Sequence, residues 1–560
     1  MVQVKGEKTS AKRNFFQGDQ TLQLILKERL AGEMLNYADR ELAAFGELCA
    51  NEIDERARHT DREGAPKLEK YDRFGDDVSH VWVNKGYKKT VEETYRTGIV
   101  GYIHKDIPEL GKRGNYIYSF AQGYLLSQTE PGFYCPVTLT MATAYLLDHF
   151  ADEKLKARFL PHICATGDVE LFEGATFLTE RQGGSDVGAN VVQAVKDGEH
   201  YRLYGEKYFA SNAGMAGVAM VLARIEGAPL GSKGLTLFAV PWRLNGKLNN
   251  IKIRRLKDKL GVRAVPSGEV EFEGALAYVV RNPANGLKYM MEALNLSRIC
   301  NAVASIGIMK RALTEAAEYA ERRGAFGKRL VEFPMVQDSL MKMRAKQEVE
   351  TAAVFDLVAL YDRVTKGEAT PEETVLSRLL IAILKKETAE QAIHFSHEAI
   401  EMHGGNGYIE DFVTPRLLRD AQVLTVWEGT ANILGLELVR LVNKFNAHHV
   451  FLGHVAERLG KLKANEQVAF IHEKANSLQL ELEAFAASDA DMQAFDAKQL
   501  MQKMAWLFES VIALEWAEKY GEKYTALAEV FIETAWTARK TGGEMTTVKH
   551  FDLIMQNTRS

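Results

Sequence analysis

The spacing of apolar residues changes twice along the 560-residue chain, and these two changes restrict the fold more than any single motif. A helix with one covered face repeats its apolar residues every three or four positions. A half-covered strand alternates them, and neither pattern can serve as the other. Leu22, Leu26 and Leu30 share one helical face, and Tyr118, Leu125 and Leu126 continue a similar stripe, so a mostly helical stretch is expected from Gln20 to about Gly174. Between Glu173 and about Tyr278 the period shortens. Glu269-Val270-Glu271-Phe272-Glu273 alternates strictly, Tyr201-Arg202-Leu203 does so weakly, and the apolar run 234–242 reads as a buried strand. After Asn282 helical spacing returns in Ile299, Val303, Ile306, Met309 and Leu313, interleaved with Ala302, Ala304, Ser305 and Gly307. Small residues at that density let helices approach closely, as in a bundle core. The expected fold is mainly α with a central β domain. Its units are a helical 1–172, a β 173–285, a bundle 286–444 and a C-terminal helical extension 445–560.

Composition narrows the function classes. A net charge of −5 gives no overall reason to bind nucleic acid. Residues 445–560 carry 12 Lys plus Arg against 16 Asp plus Glu, so phosphate-neutralising binding by the extension should be weak. Four scattered cysteines without paired spacing suggest a reducing compartment, with each thiol a small core residue. No metal site is expected. The basic opening stretch, residues 1–16, lacks the apolar segment of a secretory signal, and no run has the length of a membrane span, so a cytoplasmic location is expected.

Several constellations could carry chemistry. In Thr176–Asn190, Gly183-Gly184-Ser185-Asp186 offers unobstructed backbone N–H groups and a hydroxyl suited to a phosphate or a cofactor edge, although a tight turn before a strand needs no more. Gly205–Ala216 contains Phe209-Ala210-Ser211, by itself a strand with a buried aromatic. Leu256–Ala275 reads as a structural hairpin, with Lys259 and Arg263 solvated or salt-bridged. In Tyr319–Leu330, Arg323 could be a wet surface charge or a bidentate phosphate ligand, with Phe326 and Gln337 beyond it. Glu401–Phe412 holds three glycines that could simply cap a helix. Finally, Arg416–Leu436 places Glu428 after an apolar run and directly before Gly429-Thr430. A carboxylate among apolar neighbours is desolvated and therefore more basic, as removal of a weakly acidic C–H proton requires.

In this order, these segments resemble the acyl-CoA dehydrogenase family. The motif variants, the KYDRFGDDV segment and the extra C-terminal block are most similar to its AidB-like (alkylation-response) branch. The resemblance implies FAD-dependent α,β-dehydrogenation of a saturated acyl-CoA thioester, with Glu428 as the α-proton-abstracting base. An alternative base position, just before Arg298, is occupied here by Ser297. Related nitroalkane oxidases carry Asp as base, so Glu428 favours acyl-CoA chemistry.

The same resemblance implies FAD contacts from Phe177, Leu178, Thr179, Gly184, Ser185, Phe209, Ala210 and Ser211, with Trp427, Thr430 and Asn432 around the base. Arg323, Phe326, Gln337, Glu401, Gly404 and Gly405 would reach the cofactor of a neighbouring protomer, hence a homodimer or a homotetramer built as a dimer of dimers. Ser185, Arg298 and Gly429 are implied as substrate contacts, and an electron-transfer flavoprotein as a possible acceptor. The branch also suggests an alternative, a flavoprotein that binds DNA or sequesters acyl-CoA with little turnover.

Overall fold

A computed structural model describes residues 13–537 and 541–555. Residues 1–12 of the stretch examined for a secretory signal lie outside the described residues. The N-terminal part is mostly helical, as expected. Within it Lys67–Tyr71 and Asp77–Trp82 form an antiparallel hairpin that the apolar spacing did not single out. Its turn is closed by the Asp72 carboxylate, which accepts N–H groups of Phe74 at 2.8 Å and Asp76 at 3.0 Å. Asp and Gly chemistry of this kind specifies a turn locally. Helix Tyr116–Ser127 also differs from expectation. It is buried on every side rather than along a stripe, as befits a helix enclosed by others.

The β domain follows directly. Glu173–Phe177 lies parallel to Ala216–Ile225, and the long strand Ser267–Val279 pairs antiparallel with His200–Ser211. Leu235–Pro241, buried throughout as its composition suggested, pairs with both Ser267–Val279 and Ala216–Ile225. Because Gln193–Asp197 joins His200–Ser211 to Ala216–Ile225, these strands close into a ring of pairings. Closure leaves few unpaired edges.

Helices Gly286–Arg322, Pro334–Thr365 and Pro371–His403 form the bundle. The small residues expected to permit close packing do so. A Cβ on Gly307 would lie 2.9 Å from Ser127 Cβ and from the Tyr124 carbonyl, so this glycine sets the approach between bundle and N-terminal helix. The extension packs on the bundle through a dry charge cluster. Lys346 Nζ lies 2.9 Å from Glu350, 2.7 Å from Glu387 and 2.8 Å from Glu509, the last on helix Ala490–Tyr520. A second cluster ties Asp54 of the N-terminal part to Arg311 and Arg416, each at 2.9 Å. All four cysteines are buried and free. Among the described residues, no helix is long and apolar enough to cross a membrane.

Candidate active site

Helix Thr414–Leu424 ends in a turn in which the N–H groups of Val426 and Trp427 reach the Val423 carbonyl at 2.8 and 2.9 Å. The chain then takes two left-handed steps, Glu428 at φ 58° and Gly429 at φ 102°, before helix Ala431–Phe445 begins. Glycine accepts the second step freely. The first, at a glutamate, stores about 1–3 kcal/mol that the surroundings must offset. Two cations from the bundle hold it. Arg298 Nε donates to the Glu428 carbonyl at 3.0 Å, and Lys385 Nζ donates to the Gly429 carbonyl at 2.7 Å. Asn301 Nδ2 secures the preceding helix end at the Leu424 carbonyl, 3.1 Å away.

The Glu428 side chain is the unusual element. Its Oε2 is shielded from solvent and accepts no hydrogen bond. Burial pushes its proton affinity up, against the opposing charges of Arg298 and then Lys385. Trp427 and Val423 pack against Cys135, Leu139, Val262 and Val265, which gives this region an apolar wall. The Cys135 thiol lies in the field of Glu428 and beside Ser211, so the β domain and the Glu428 loop converge there.

The glycine turn is braced from beneath. Phe177 is buried at the end of its strand, and the Leu178 carbonyl accepts Asn190 Nδ2 at 2.7 Å and Lys207 Nζ at 3.2 Å. Lys207 and Glu180 form a 2.7 Å ion pair with side chains only 0% and 2% exposed. Glu180 also accepts the N–H groups of Val191 at 2.6 Å and Val192 at 3.3 Å. Above this support Gly183 takes φ 132°, and a Cβ on Gly184 would come 2.5 Å from Thr179 Oγ1. Ser185 is exposed on an open cavity of about 560 Å³ that also includes Asn190, Arg224 and Ser232. The Thr179 carbonyl accepts the Tyr208 N–H at 3.0 Å, which sets Thr179 beside the Phe209-Ala210-Ser211 strand end. There Phe209 is exposed, Ala210 buried, and Ser211 Oγ lies 3.4 Å from Ser267 Oγ. Thr430 and Asn432 are exposed at the start of the helix after Glu428.

The remaining expected residues form a second group. Arg323 is exposed at the end of helix Gly286–Arg322, before a short hairpin whose tip, Phe326, is 97% exposed with φ 50°. Gln337 Nε2 donates to the Val331 carbonyl at 3.1 Å. Glu401 is exposed. Gly404 takes φ 58°, and a Cβ on Gly405 would meet nothing within 4 Å. Tyr319 links the two parts, stacking 4.2 Å from the His403 ring and accepting Asn406 Nδ2 at 3.1 Å. Among the described residues, no hydrogen bond or ion pair joins this group to Thr179, Ser185, Ser211 or Glu428. Met335, Tyr408 and Ile409 are exposed apolar residues in the same segments.

Four residues were missed or misread. The Glu180–Lys207 brace was not anticipated. Lys385 was not singled out, although a lysine closing the apolar run 379–384 is a signal that its side chain is drawn inward. Lys259 is neither solvated nor salt-bridged. Its Nζ donates to the carbonyls of Val262 and Val265 at 2.9 and 2.6 Å, and burial pulls its proton affinity down to about 8.

Comparison with known proteins accords with this arrangement. Residues 284–442 match the acyl-CoA dehydrogenase C-terminal domain, 175–275 the acyl-CoA dehydrogenase middle domain, and 7–167 the adaptive response protein AidB N-terminal domain. The Caenorhabditis elegans protein named acyl-CoA dehydrogenase family member 11 is 32% identical over 460 residues, which span 80% of this chain and 73% of that protein. The crystal structure of C. elegans ACDH-11 in complex with C11-CoA superposes with a TM-score of 0.86 at 27% identity, covering 99% of this chain and 98% of that one. An acyl-CoA dehydrogenase from Bacillus anthracis, complexed with FAD, shares the fold at a TM-score of 0.74 and 19% identity, covering 98% and 93% of the two chains. The chain therefore belongs to the acyl-CoA dehydrogenase family and to its AidB-like branch.

Proposed function

We propose that this protein is an FAD-dependent dehydrogenase of a saturated acyl-CoA thioester, with Glu428 removing the α-proton. The observation that carries the reading is the Glu428 carboxylate, with a shielded oxygen that has no partner in a family whose members are named for acyl-CoA dehydrogenation. An unpartnered buried acceptor is costly unless a ligand completes it.

The residues fit FAD. Gly184 leaves the space over Thr179 Oγ1 open, Ser185 supplies a hydroxyl at the turn, and Phe209 offers an exposed ring beside them. FAD, when bound, would supply the two-electron acceptor. The chain's residues do the rest. Thr179, Ser185, Phe209 and Ser211 would orient the cofactor, while Trp427 and the apolar wall exclude water and raise the basicity of Glu428. The Glu428 N–H would donate to the thioester oxygen as charge develops there. Arg323, Phe326, Gln337 and the Gly404-Gly405 turn lie apart from this group, and the exposed apolar residues beside them suit contact with a second copy, whose cofactor they would help enclose. An electron-transfer flavoprotein is the proposed electron acceptor.

The test is anaerobic mixing of the FAD-loaded protein with a panel of acyl-CoA thioesters while flavin absorbance is followed. Bleaching is expected for the native protein, and slowing by at least about 10²-fold for Glu428→Gln at equal FAD content. Undiminished bleaching in Glu428→Gln removes Glu428 as the base. A spectral shift without bleaching in the native protein would instead mean sequestration of the thioester.

A further inference from the structure

We propose that Lys385, on helix Pro371–His403, is a positioning residue for Glu428, holding the left-handed turn through the Gly429 carbonyl and, when protonated, supplying a positive charge that favours ionisation of the neighbouring carboxylate. The proposal rests on the reading of Glu428 as the base and adds to it a residue that no sequence motif marks.

Lys385 is 1% exposed and ranks among the largest fully buried side chains of the protein. An ammonium has three donors, and its one hydrogen bond among the described residues goes to the Gly429 carbonyl at 2.7 Å. Anchoring a carbonyl does not require a charge, since a neutral amide would do it without the large desolvation penalty of a buried cation. Among the described residues no carboxylate lies within ion-pair distance of Lys385, and the negative charge that partly offsets the penalty acts through the field of Glu428, the residue next to the clamped Gly429. Burial draws the proton affinity of Lys385 down to about 7, Glu428 opposes that shift, the Arg298 guanidinium reinforces it, and Glu390 opposes it again.

The groups facing Glu428 complete the environment. Arg298 from helix Gly286–Arg322 and Lys385 from helix Pro371–His403 pull its proton affinity down. The thiols of Cys135 and Cys300 also lie in its field, from helices Pro131–Phe150 and Gly286–Arg322. Arg298 in turn faces Glu437 and Arg440 on the helix that follows the loop. Thus two consecutive carbonyls, those of Glu428 and Gly429, are each clamped by a cation from a different bundle helix. Arginine keeps its charge at any working pH, whereas a buried lysine can lose it. Charge on Lys385 and charge on Glu428 favour one another, so removing the first makes the second hold its proton more tightly.

Three variants separate the roles of Lys385. Lys385→Met removes both donor and charge, Lys385→Gln keeps an N–H donor for the Gly429 carbonyl but removes the charge, and Lys385→Arg keeps both. Ionisation of Glu428 is read in the FAD-loaded protein, without substrate, from the carboxyl infrared difference between each form and the same form carrying Glu428→Gln. The midpoint should rise by on the order of one to two pH units in Lys385→Met and Lys385→Gln, and stay near native in Lys385→Arg. The acid limb of kcat/KM should move with it. An unshifted midpoint in folded Lys385→Gln overturns the proposal, even if activity falls uniformly at every pH. A Lys385→Arg midpoint as high as that of Lys385→Gln overturns it as well. Full activity in Glu428→Gln would defeat the assignment of the base while leaving the infrared result to stand on its own.

Discussion

Lys346 offers a prediction whose size follows from the structure. Its ammonium is shared by Glu350, Glu387 and Glu509, which lie on the bundle and the C-terminal extension, and all three carboxylates are buried. Burial and mutual repulsion push Glu350 and Glu509 up in proton affinity, so protons already relieve part of the negative charge. Glu387 goes the other way, held ionised chiefly by Lys346 against its own burial. Lys346→Met removes that support, and Glu387 must then take up a proton. From its ordinary value of 4.5, this costs about 3.4 kcal/mol at about pH 7, at about 1.36 kcal/mol per pH unit. At about pH 5 the same protonation costs about 0.7 kcal/mol. The sign follows from linkage. A carboxylate with depressed proton affinity in the folded state stabilises that state above its unfolded value, and the benefit fades as pH falls. Native-state hydrogen exchange of the Ala490–Tyr520 amides, compared with the unmodified protein at each pH, should accelerate by about 300-fold near neutrality and about threefold near pH 5. Equal acceleration at both pH values would refute this reasoning and assign the effect to lost packing.

Other outcomes follow from the glycine turns and the second charge cluster. Gly405→Ala should leave the melting temperature of the apoprotein unchanged, because its Cβ meets nothing within 4 Å, yet weaken FAD retention if a neighbouring copy's cofactor lies there. Gly407→Ala should melt early, since its Cβ would stand 2.4 Å from the Ile400 carbonyl. Arg416→Met should destabilise by about 1.5–3 kcal/mol in denaturant titrations near neutral pH, because it strips one of two cations from half-buried Asp54 and leaves only Arg311 beside it. Asp54 is held well below its ordinary range by Arg311 and then Arg416, which prevail over its burial. Its contribution is therefore present above about pH 4 and lost on acidification, and Asp54→Asn should flatten that acid loss.

The large divisions of the chain were legible because each rests on a local period. Helix spacing around Val303 and alternation around Val270 are properties of neighbouring residues, and burial acts on them directly. The Lys67–Trp82 hairpin escaped notice because its strands are short and largely polar. The Tyr116–Ser127 helix looked amphipathic because sequence cannot say how many neighbours will enclose it. Within the site, the apolar run before Glu428 announced a desolvated carboxylate, and Gly429 announced a turn. The left-handed backbone of Glu428 itself was not readable, since it is imposed by clamps 130 and 44 residues away in sequence. Arg298, expected as a substrate contact, also places its Nε on the Glu428 carbonyl, a backbone role that its position in the sequence does not announce. Pairings such as Glu180 with Lys207, and Lys385 with Gly429, are decided by the folded chain and leave only a faint local trace.

The dry Glu180–Lys207 pair has a consequence for ligand capture. Because one carboxylate ties together strand, turn and return segment, the shape of the glycine turn is set during folding rather than at the moment of encounter. The entropy of ordering that backbone, about 1–2 kcal/mol per residue, has then already been lost when a ligand arrives. Such a turn acts as a mould rather than a closing hand. Its occupancy should depend on how well a guest matches a preset outline, and little on any slow rearrangement of the host.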